Sequence, residues 1–369
     1  MGVAVSNYRL ARTVAQAGQL GVVSGTALST VLVRRLQQGD LSGEMRATLA
    51  TFPNQEIVET ILQDYFVPGG KAADARFRGH PFPSLSFEDG VAALHPGLEA
   101  LCVVSSFVEV ALAKQGHANP IGINFLHKIE WPTLASLYGA MLANVDAVLM
   151  GAGIPRAIPA ILDAYTRGEG ASMPLSIKGG EVVMHFDPAG RFGAPTLSRP
   201  FFIGIVGNHL GVKALPNADG YVLEGPSAGG HNAPARSKEV DASGQPLYGQ
   251  KDETNFDMLK SMLERNGTNQ PFWLAGGYAS KLAQARALGA VGVQVGTPFA
   301  LSKESGIADA HRAKAIRYLV DGGEVFTDPL ASPSGFPFKT MAIEGSASCP
   351  ANYEGRKRKC DLGYLAEFY

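Results

Sequence analysis

The chain has 369 residues, of which 46% are hydrophobic and 18% charged, and its formal net charge is −1. This length allows one large α/β barrel with insertions, or two domains of ordinary size. The charge balance argues against a nucleic acid or an anionic membrane as partner, so we expect a small-molecule substrate. No apolar leader and no run of about 18 uncharged apolar residues is evident. We therefore expect a cytoplasmic protein with reduced thiols.

Apolar residues along the chain alternate between helical and strand periods. Residues 8–17 have helical spacing, with Ser6 or Asn7 as the cap, and residues 20–24 form a short buried strand. Further strands are predicted near residues 121, 146, 201, 221, 272 and 292. Helices are predicted at 28–38, 56–65, 102–114, 132–143, 156–165, 256–265 and 280–288.

Strands that alternate with helices pair in parallel, and eight such units close into a TIM (β/α)8 barrel with ligand sites at the carboxyl ends of the strands. The chain opens like the loop after a strand, so we expect the first of eight strands to be absent from it. A doubly wound sheet is the alternative, but no G-x-G-x-x-G fingerprint is present. We predict a barrel over residues 1–340, with insertions at about 66–97 and 171–200, and a tail over 341–369.

Three of the predicted strands are followed by small residues, in the sequences Ala228-Gly229-Gly230-His231, Ala275-Gly276-Gly277 and Val295-Gly296-Thr297. Glycines let backbone N–H groups approach a ligand, and histidine titrates near neutral pH. Three such strand ends in succession indicate a phosphate-bearing cofactor held from several strands. For the histidine segment alone, a surface turn with a hydrogen-bonded histidine is the alternative.

Other polar residues have simpler interpretations. Ser332-Pro333-Ser334-Gly335 does not match the G-x-S-x-G pattern of a nucleophile turn, so we interpret it as a simple turn that could line a ligand pocket. Six further histidines have no carboxylate or cysteine partner at metal-ligand spacing, namely His80, His95, His117, His127, His185 and His209. No metal site is predicted.

Taken together, the three glycine motifs resemble the nitronate monooxygenase family, also called 2-nitropropane dioxygenase-like flavoproteins, over about residues 2–339. The resemblance implies a TIM barrel that binds FMN and oxidises nitronates or nitroalkanes with molecular oxygen. It implies that His231 is the catalytic residue, either as a base or as a ligand of the substrate anion. The FMN contacts that it implies are Met1, Gly2, Val3, Asn124, Glu224, Ala228, Gly229, Gly230, Ala275, Gly276, Gly277, Val295, Gly296 and Thr297. For Asn124 a strand-end cap is the alternative, and for the last two glycine motifs it is a tight strand-to-helix turn.

The sequence departs from the family at two positions. Glu224 stands where family members usually carry a glutamine, and Ser227 stands where they carry an acidic residue. Charge near a flavin changes its reduction potential. Two alternatives therefore stay open: an enoyl reductase that acts on acyl-carrier-bound chains with a nicotinamide donor, and a non-catalytic FMN-binding subunit of a biosynthetic cluster. A homodimer is compatible with the sequence.

Overall fold

The computed structural model describes residues 2–88, 90–193, 195–265, 269–332, 336–355, 362–365 and 368. The predicted strand before residue 1 and the predicted FMN contact of Met1 lie outside this part of the chain. Two compact units are present. Unit 1 comprises Met1–Val5, Met150–Arg156 and Phe202–Lys359, and unit 2 comprises Ser6–Leu149, Ala157–Phe201 and Cys360–Tyr369.

Helices and strands alternate over most of the chain. The helices are α1 (Tyr8–Gln16), α2 (Leu28–Gln37), α3 (Glu44–Leu49), α4 (Gln55–Tyr65), α5 (Pro96–Ala113), α6 (Thr133–Leu142), α7 (Ile158–Thr166), α8 (His209–Ala214), α9 (Phe256–Arg265), α10 (Leu282–Ala287), α11 (Thr297–Ala300), α12 (Asp309–Val320) and α13 (Pro350–Gly355). The strands are β1 (Gly21–Ser24), β2 (Leu85–Glu88), β3 (Val91–Leu94), β4 (Ile121–Leu126), β5 (Ala147–Gly151), β6 (Ala171–Ile177), β7 (Gly180–Phe186), β8 (Phe201–Val206), β9 (Gly220–Glu224), β10 (Phe272–Ala275), β11 (Gly292–Gln294), β12 (Phe326–Asp328) and β13 (Phe338–Thr340).

The seven strands predicted from the sequence form one sheet, in the order β1-β4-β5-β8-β9-β10-β11. This order follows the chain without reversal, as the winding of a (β/α)8 barrel requires. A doubly wound sheet would instead reverse direction at an internal strand. The predicted α/β class with barrel topology is therefore confirmed, and the doubly wound alternative is excluded.

In unit 2, helices α5 and α6 pack closely. A Cβ atom at Gly139 would lie 2.0 Å from the carbonyl oxygen of Val103, so only glycine allows this approach. Helix α5 is the one described helix that is long and apolar enough to cross a membrane, and 78% of it is buried inside the protein. It extends further than the predicted 102–114, because His95 caps it by accepting the N–H of Gly97 at 3.2 Å.

The two segments predicted as insertions contribute to one four-stranded sheet, in the order β2-β3-β7-β6. The sequence of residues 181–186 predicts a strand, which corresponds to β7, whereas β6 was not predicted. Its alternation of buried and exposed residues marks a strand that is covered on one face, but Pro174 in its centre obscures the strand pattern in the sequence. The short helices α3 and α8 were also missed, since six residues are too few to show a helical period.

The described part of the C-terminal tail packs into unit 2. The ring of Tyr364 is only 7% exposed and stacks on Trp131 with 5.1 Å between ring centroids. Its hydroxyl group makes a short hydrogen bond with Ser29 Oγ and lies 3.4 Å from His80 Nε2. The carbonyl oxygen of Phe368 accepts the N–H of Lys178 at 2.7 Å. The tail therefore supplies core contacts to this unit.

Candidate functional site

The three glycine motifs leave adjacent parallel strands of unit 1 at one edge. Ala275 in β10 pairs with Glu224 of β9 on one side and with Gln294 of β11 on the other. The N–H of Gly225 donates to the carbonyl oxygen of Ala275 at 3.2 Å, which extends the pairing one residue beyond β9. Because the strands end in register, the residues that follow them emerge side by side.

The loops after these strands touch at two glycines. Gly276 has φ +79°, and a Cβ there would lie 2.8 Å from the backbone nitrogen of Ala228. A Cβ at Gly229 would lie 2.5 Å from Oγ1 of Thr297, the first residue of α11. The loop after β9 therefore contacts both the turn after β10 and the start of α11. Side chains at either glycine would force these loops apart.

Two backbone donors are available at the same strand ends. Within the described ranges, the N–H groups of Gly277 and Gly296 donate no hydrogen bond to the protein. Both residues are exposed, and the space where a Cβ of Gly296 would point is open to 4 Å. Exposed backbone N–H groups and a hydroxyl group, such as that of Thr297, are donors of the kind that bind a phosphate group. The residues present therefore fit a phosphate-bearing cofactor.

Asn232 fixes the loop that carries the first motif, and the sequence analysis missed it. Its side chain is buried and donates from Nδ2 to the carbonyl oxygens of Pro226 and Ala228, both at 2.9 Å. Its backbone N–H donates to the carbonyl oxygen of Pro337 at 2.9 Å. An asparagine directly after a histidine gives no sequence signal for such a role, because its partners become neighbours only when the loop closes.

His231 follows this loop and is partly buried. Its Nε2 atom lies 2.7 Å from Oγ of Ser332, and its ring packs edge-on against Phe338 with 4.7 Å between centroids. The N–H of Lys339 donates to the carbonyl oxygen of Gly230 at 2.9 Å. Strand β13 and the serine thus hold the imidazole in one orientation. Of the turn predicted at 332–335, only Ser332 lies in the described part.

Glu224 ends β9 and is partly buried. Burial raises the pKa of its carboxyl group to about 7. The side chain lines a cleft together with residues that follow β8 and residues of the segment 233–252. A carboxyl group that titrates near neutral pH in a cleft is a candidate for acid–base or binding chemistry.

The other predicted FMN contacts, Gly2, Val3 and Asn124, lie in two different units. In unit 1, the carbonyl oxygen of Gly2 accepts the N–H of Val5 at 3.1 Å, and the carbonyl oxygen of Val5 accepts the N–H of Gly306 at 2.8 Å. Val3 in this turn is 48% exposed. Asn124 belongs to unit 2, where it is buried in β4 and its Nδ2 donates to the carbonyl oxygen of Leu149 at 3.3 Å. The structure thus gives Asn124 the strand-end hydrogen bond expected of a structural asparagine.

The fold and these strand ends define an α/β protein with barrel topology and a phosphate-compatible site. Residues 172–333 match the family model described as nitronate monooxygenase. This range contains His231, Glu224 and all three glycine motifs. The match confirms the resemblance found in the sequence, and it supports a flavin-dependent oxidoreductase.

Several solved structures are similar to this chain. FabK from Thermotoga maritima is 18% identical, with 96% of this chain and 71% of that chain covered and a TM-score of 0.49. Nitroalkane oxidase from Streptomyces ansochromogenes is 16% identical, with 99% and 81% covered and a TM-score of 0.46. The enoyl reductase domain of MlnA from Bacillus amyloliquefaciens is 12% identical, with 69% and 57% covered and a TM-score of 0.39. Comparison with curated proteins finds no match.

Proposed function

We propose that this protein is an FMN-dependent oxidoreductase that oxidises nitronates or nitroalkanes with molecular oxygen. The observation that carries the proposal is the meeting of the three glycine motifs at the ends of β9, β10 and β11. These motifs lie within the range that matches the nitronate monooxygenase model. FMN is proposed rather than FAD because the free N–H groups are sufficient for one phosphate group.

The chain's own residues divide into two roles toward this cofactor. Gly277 and Gly296 would donate backbone N–H groups to the phosphate, and Thr297 would donate its hydroxyl. Gly229 and Gly230 would allow the backbone to approach the ring system. Bound flavin supplies an electron acceptor that oxygen can reoxidise. Further contacts are proposed for Gly2, Val3, Asn124, Glu224, Ala228, Ala275, Gly276 and Val295.

His231 would act on the substrate rather than on the cofactor phosphate. As a neutral imidazole it would remove the proton from the carbon next to a nitro group, and as an imidazolium it would bind a nitronate that is already ionised. The Ser332 hydroxyl at 2.7 Å from Nε2 would position the ring in either case. Ser332 is a positioning residue in this proposal.

Anaerobic spectroscopy tests the proposal directly. The purified protein should be yellow, mass spectrometry of the released cofactor should give FMN, and a nitronate should bleach the flavin absorbance until oxygen is admitted. Bleaching by NADPH without a nitronate would instead identify an enoyl reductase. A preparation that takes up FMN but is bleached by neither compound would indicate a non-catalytic subunit. A colourless protein that refuses added FMN would contradict all three.

A further inference from the structure

A cleft in unit 1 lies where β8 and β9 end. Its polar lining consists of Asn208 after β8, Glu224 at the end of β9, and Arg236, Tyr248 and Asp252 from the following segment. The carboxyl ends of parallel strands are where proteins of this topology bind their ligands. The chemistry of the cleft therefore depends on which of these five side chains are free to meet a ligand.

Three of the five side chains are already engaged by the protein. The two carboxylate oxygens of Asp252 accept backbone N–H groups at 2.9 and 2.8 Å. The Tyr248 hydroxyl donates to a carbonyl oxygen of the same segment at 3.1 Å. The Asn208 side chain accepts an N–H group in the first turn of α8 at 3.0 Å. These hydrogen bonds fix the walls of the cleft. The side-chain atoms that form them are already engaged within the protein.

Glu224 and Arg236 are the other two. Over the part of the chain that the structure covers, neither the Glu224 carboxyl group nor the Arg236 guanidinium has a hydrogen-bond or ion-pair partner. A guanidinium offers parallel N–H donors that match the two oxygens of a planar oxyanion. Near neutral pH a large fraction of the Glu224 carboxyl groups is protonated, since burial raises its pKa to about 7. The protonated form is a hydrogen-bond donor.

We propose that Glu224 and Arg236, the two cleft side chains without a partner among the described residues, bind the anionic group of the substrate. The substrate class is a small planar oxyanion, which rests on the proposed function because a nitronate is such an anion. Both side chains donate hydrogen bonds to the same ligand. When Glu224 ionises, it repels that ligand.

Several other groups face Glu224. Arg236 and Asp252 are the charged side chains across the cleft, and Tyr248 has a pKa raised above its usual value by burial. On α8, burial and the charge of Arg236 lower the pKa of His209. Replacing Glu224 with glutamine isolates its contribution, because the change removes the carboxyl titration and leaves the other groups in place.

Calorimetric titration of the flavin-loaded protein with nitrite, a planar oxyanion, tests the inference at about pH 6 and about pH 8.5. For the unmodified protein the affinity should fall on the order of tenfold or more between these values, as Glu224 ionises. In Glu224→Gln the fall should shrink to roughly threefold or less, since the amide remains a donor at both pH values. Arg236→Gln should weaken binding about tenfold at both. Arg286→Gln, an exposed change on α10, serves as the matched control.

Two results would overturn the inference: a Glu224→Gln variant that keeps the full pH dependence, or an Arg236→Gln variant that binds nitrite like Arg286→Gln. Either result could occur in a protein that still holds FMN and oxidises nitronates, so the proposed function would survive. Conversely, nitrite affinities that change as expected, in a protein that does not oxidise nitronates, would support the anion site and contradict the proposed activity. Circular dichroism of each variant confirms that the comparison is between folded proteins.

Discussion

The Nε2 atom of His231 and the Oγ atom of Ser332 lie 2.7 Å apart, although 101 positions separate the residues in the chain. The contact joins the loop after β9 to the segment before β13. It places a hydroxyl group, rather than a carboxylate, next to the imidazole. A hydroxyl orients the ring without stabilising its charged form as strongly as a carboxylate would.

Replacing His231 with asparagine should separate its two proposed roles. If the imidazole is a base, turnover of neutral nitroalkanes should fall by roughly 10² to 10⁴-fold, while preformed nitronates are oxidised at nearly the original rate. If it only binds the anion, KM should rise for both substrates, while kcat changes little. Steady-state kinetics on both substrate forms, with flavin content and Tm measured alongside, distinguishes the cases. Unchanged turnover on both would remove His231 from the site.

Replacing Ser332 with alanine should have a milder effect of the same kind. The imidazole would remain, but its orientation would no longer be held by the hydroxyl, so we expect a loss of about tenfold in kcat on nitroalkanes with little change in KM. The shape of the pH profile is the informative measurement, since the base itself is retained. A Ser332→Ala variant as impaired as His231→Asn would show that the serine does more than position the ring.

Two glycines of the site should respond in opposite ways to substitution. Gly296→Val places its side chain in open space, so the apo protein should keep its stability while its affinity for FMN falls. Gly276→Ala must adopt φ +79° against the backbone of Ala228, which should cost about 1–3 kcal/mol in the free energy of unfolding. Fluorescence titration with FMN and urea unfolding of the apo forms measure the two effects. Equal FMN affinity in Gly296→Val would return that glycine to a purely structural role.

Glu224 should make stability depend on pH in a defined direction. Burial raises its pKa from 4.5 to about 7, so the folded state binds more protons than the unfolded state between these values. The free energy of unfolding therefore falls as pH rises through this window and levels off above pH 7. Relative to Glu224→Gln, the loss should reach at most about 3 kcal/mol. Urea unfolding at several pH values checks this, and parallel curves for the two proteins would show that Glu224 is not the titrating group.

The tail side chain Tyr364 should stabilise unit 2. Tyr364→Ala would leave a cavity beside Trp131, and we expect it to lower the free energy of unfolding by about 3–5 kcal/mol. Tyr364→Phe removes only the hydroxyl contacts with Ser29, Thr30 and His80 and should cost about 1–2 kcal/mol. The neighbouring exposed Leu365 provides a control, since Leu365→Ala should change little. A Tm for Tyr364→Ala equal to that of the control would contradict the packing.

The sequence predicted the parallel sheet well because each of its strands is a short apolar run bounded by glycine, proline or polar residues. Residues 220–224 and 272–274 are examples, and both lie in the strands of the structure. The order of the sheet was also predictable, since parallel strands joined by helices rarely pair out of sequence. Strand β6 was not predicted because Pro174 is unusual inside a strand. Helix α3 was not predicted because a helix of six residues shows no clear period.

The site was predictable only where its residues are close in sequence. Gly276 and Gly277 could be identified because their neighbours in the chain carry the pattern, and both have positive φ in the structure. The contacts of Ser332 and Asn232 could not be identified, because each depends on residues that meet only after folding. Likewise, the residues next to Glu224 in the sequence do not show that burial would bring its pKa close to 7.

Unit 2 is assembled from three separate stretches of the chain, and the last of them supplies Tyr364. During synthesis on the ribosome, Ser29, His80 and Trp131 emerge long before their tyrosine partner does, and most of unit 1 is translated in the interval. Domains generally fold as they are made, but this unit cannot complete its aromatic stack until Tyr364 has been translated. A chain released early would carry an exposed Trp131 face. Chaperones and proteases that recognise apolar surfaces could therefore distinguish copies that lack Tyr364 from copies that carry it.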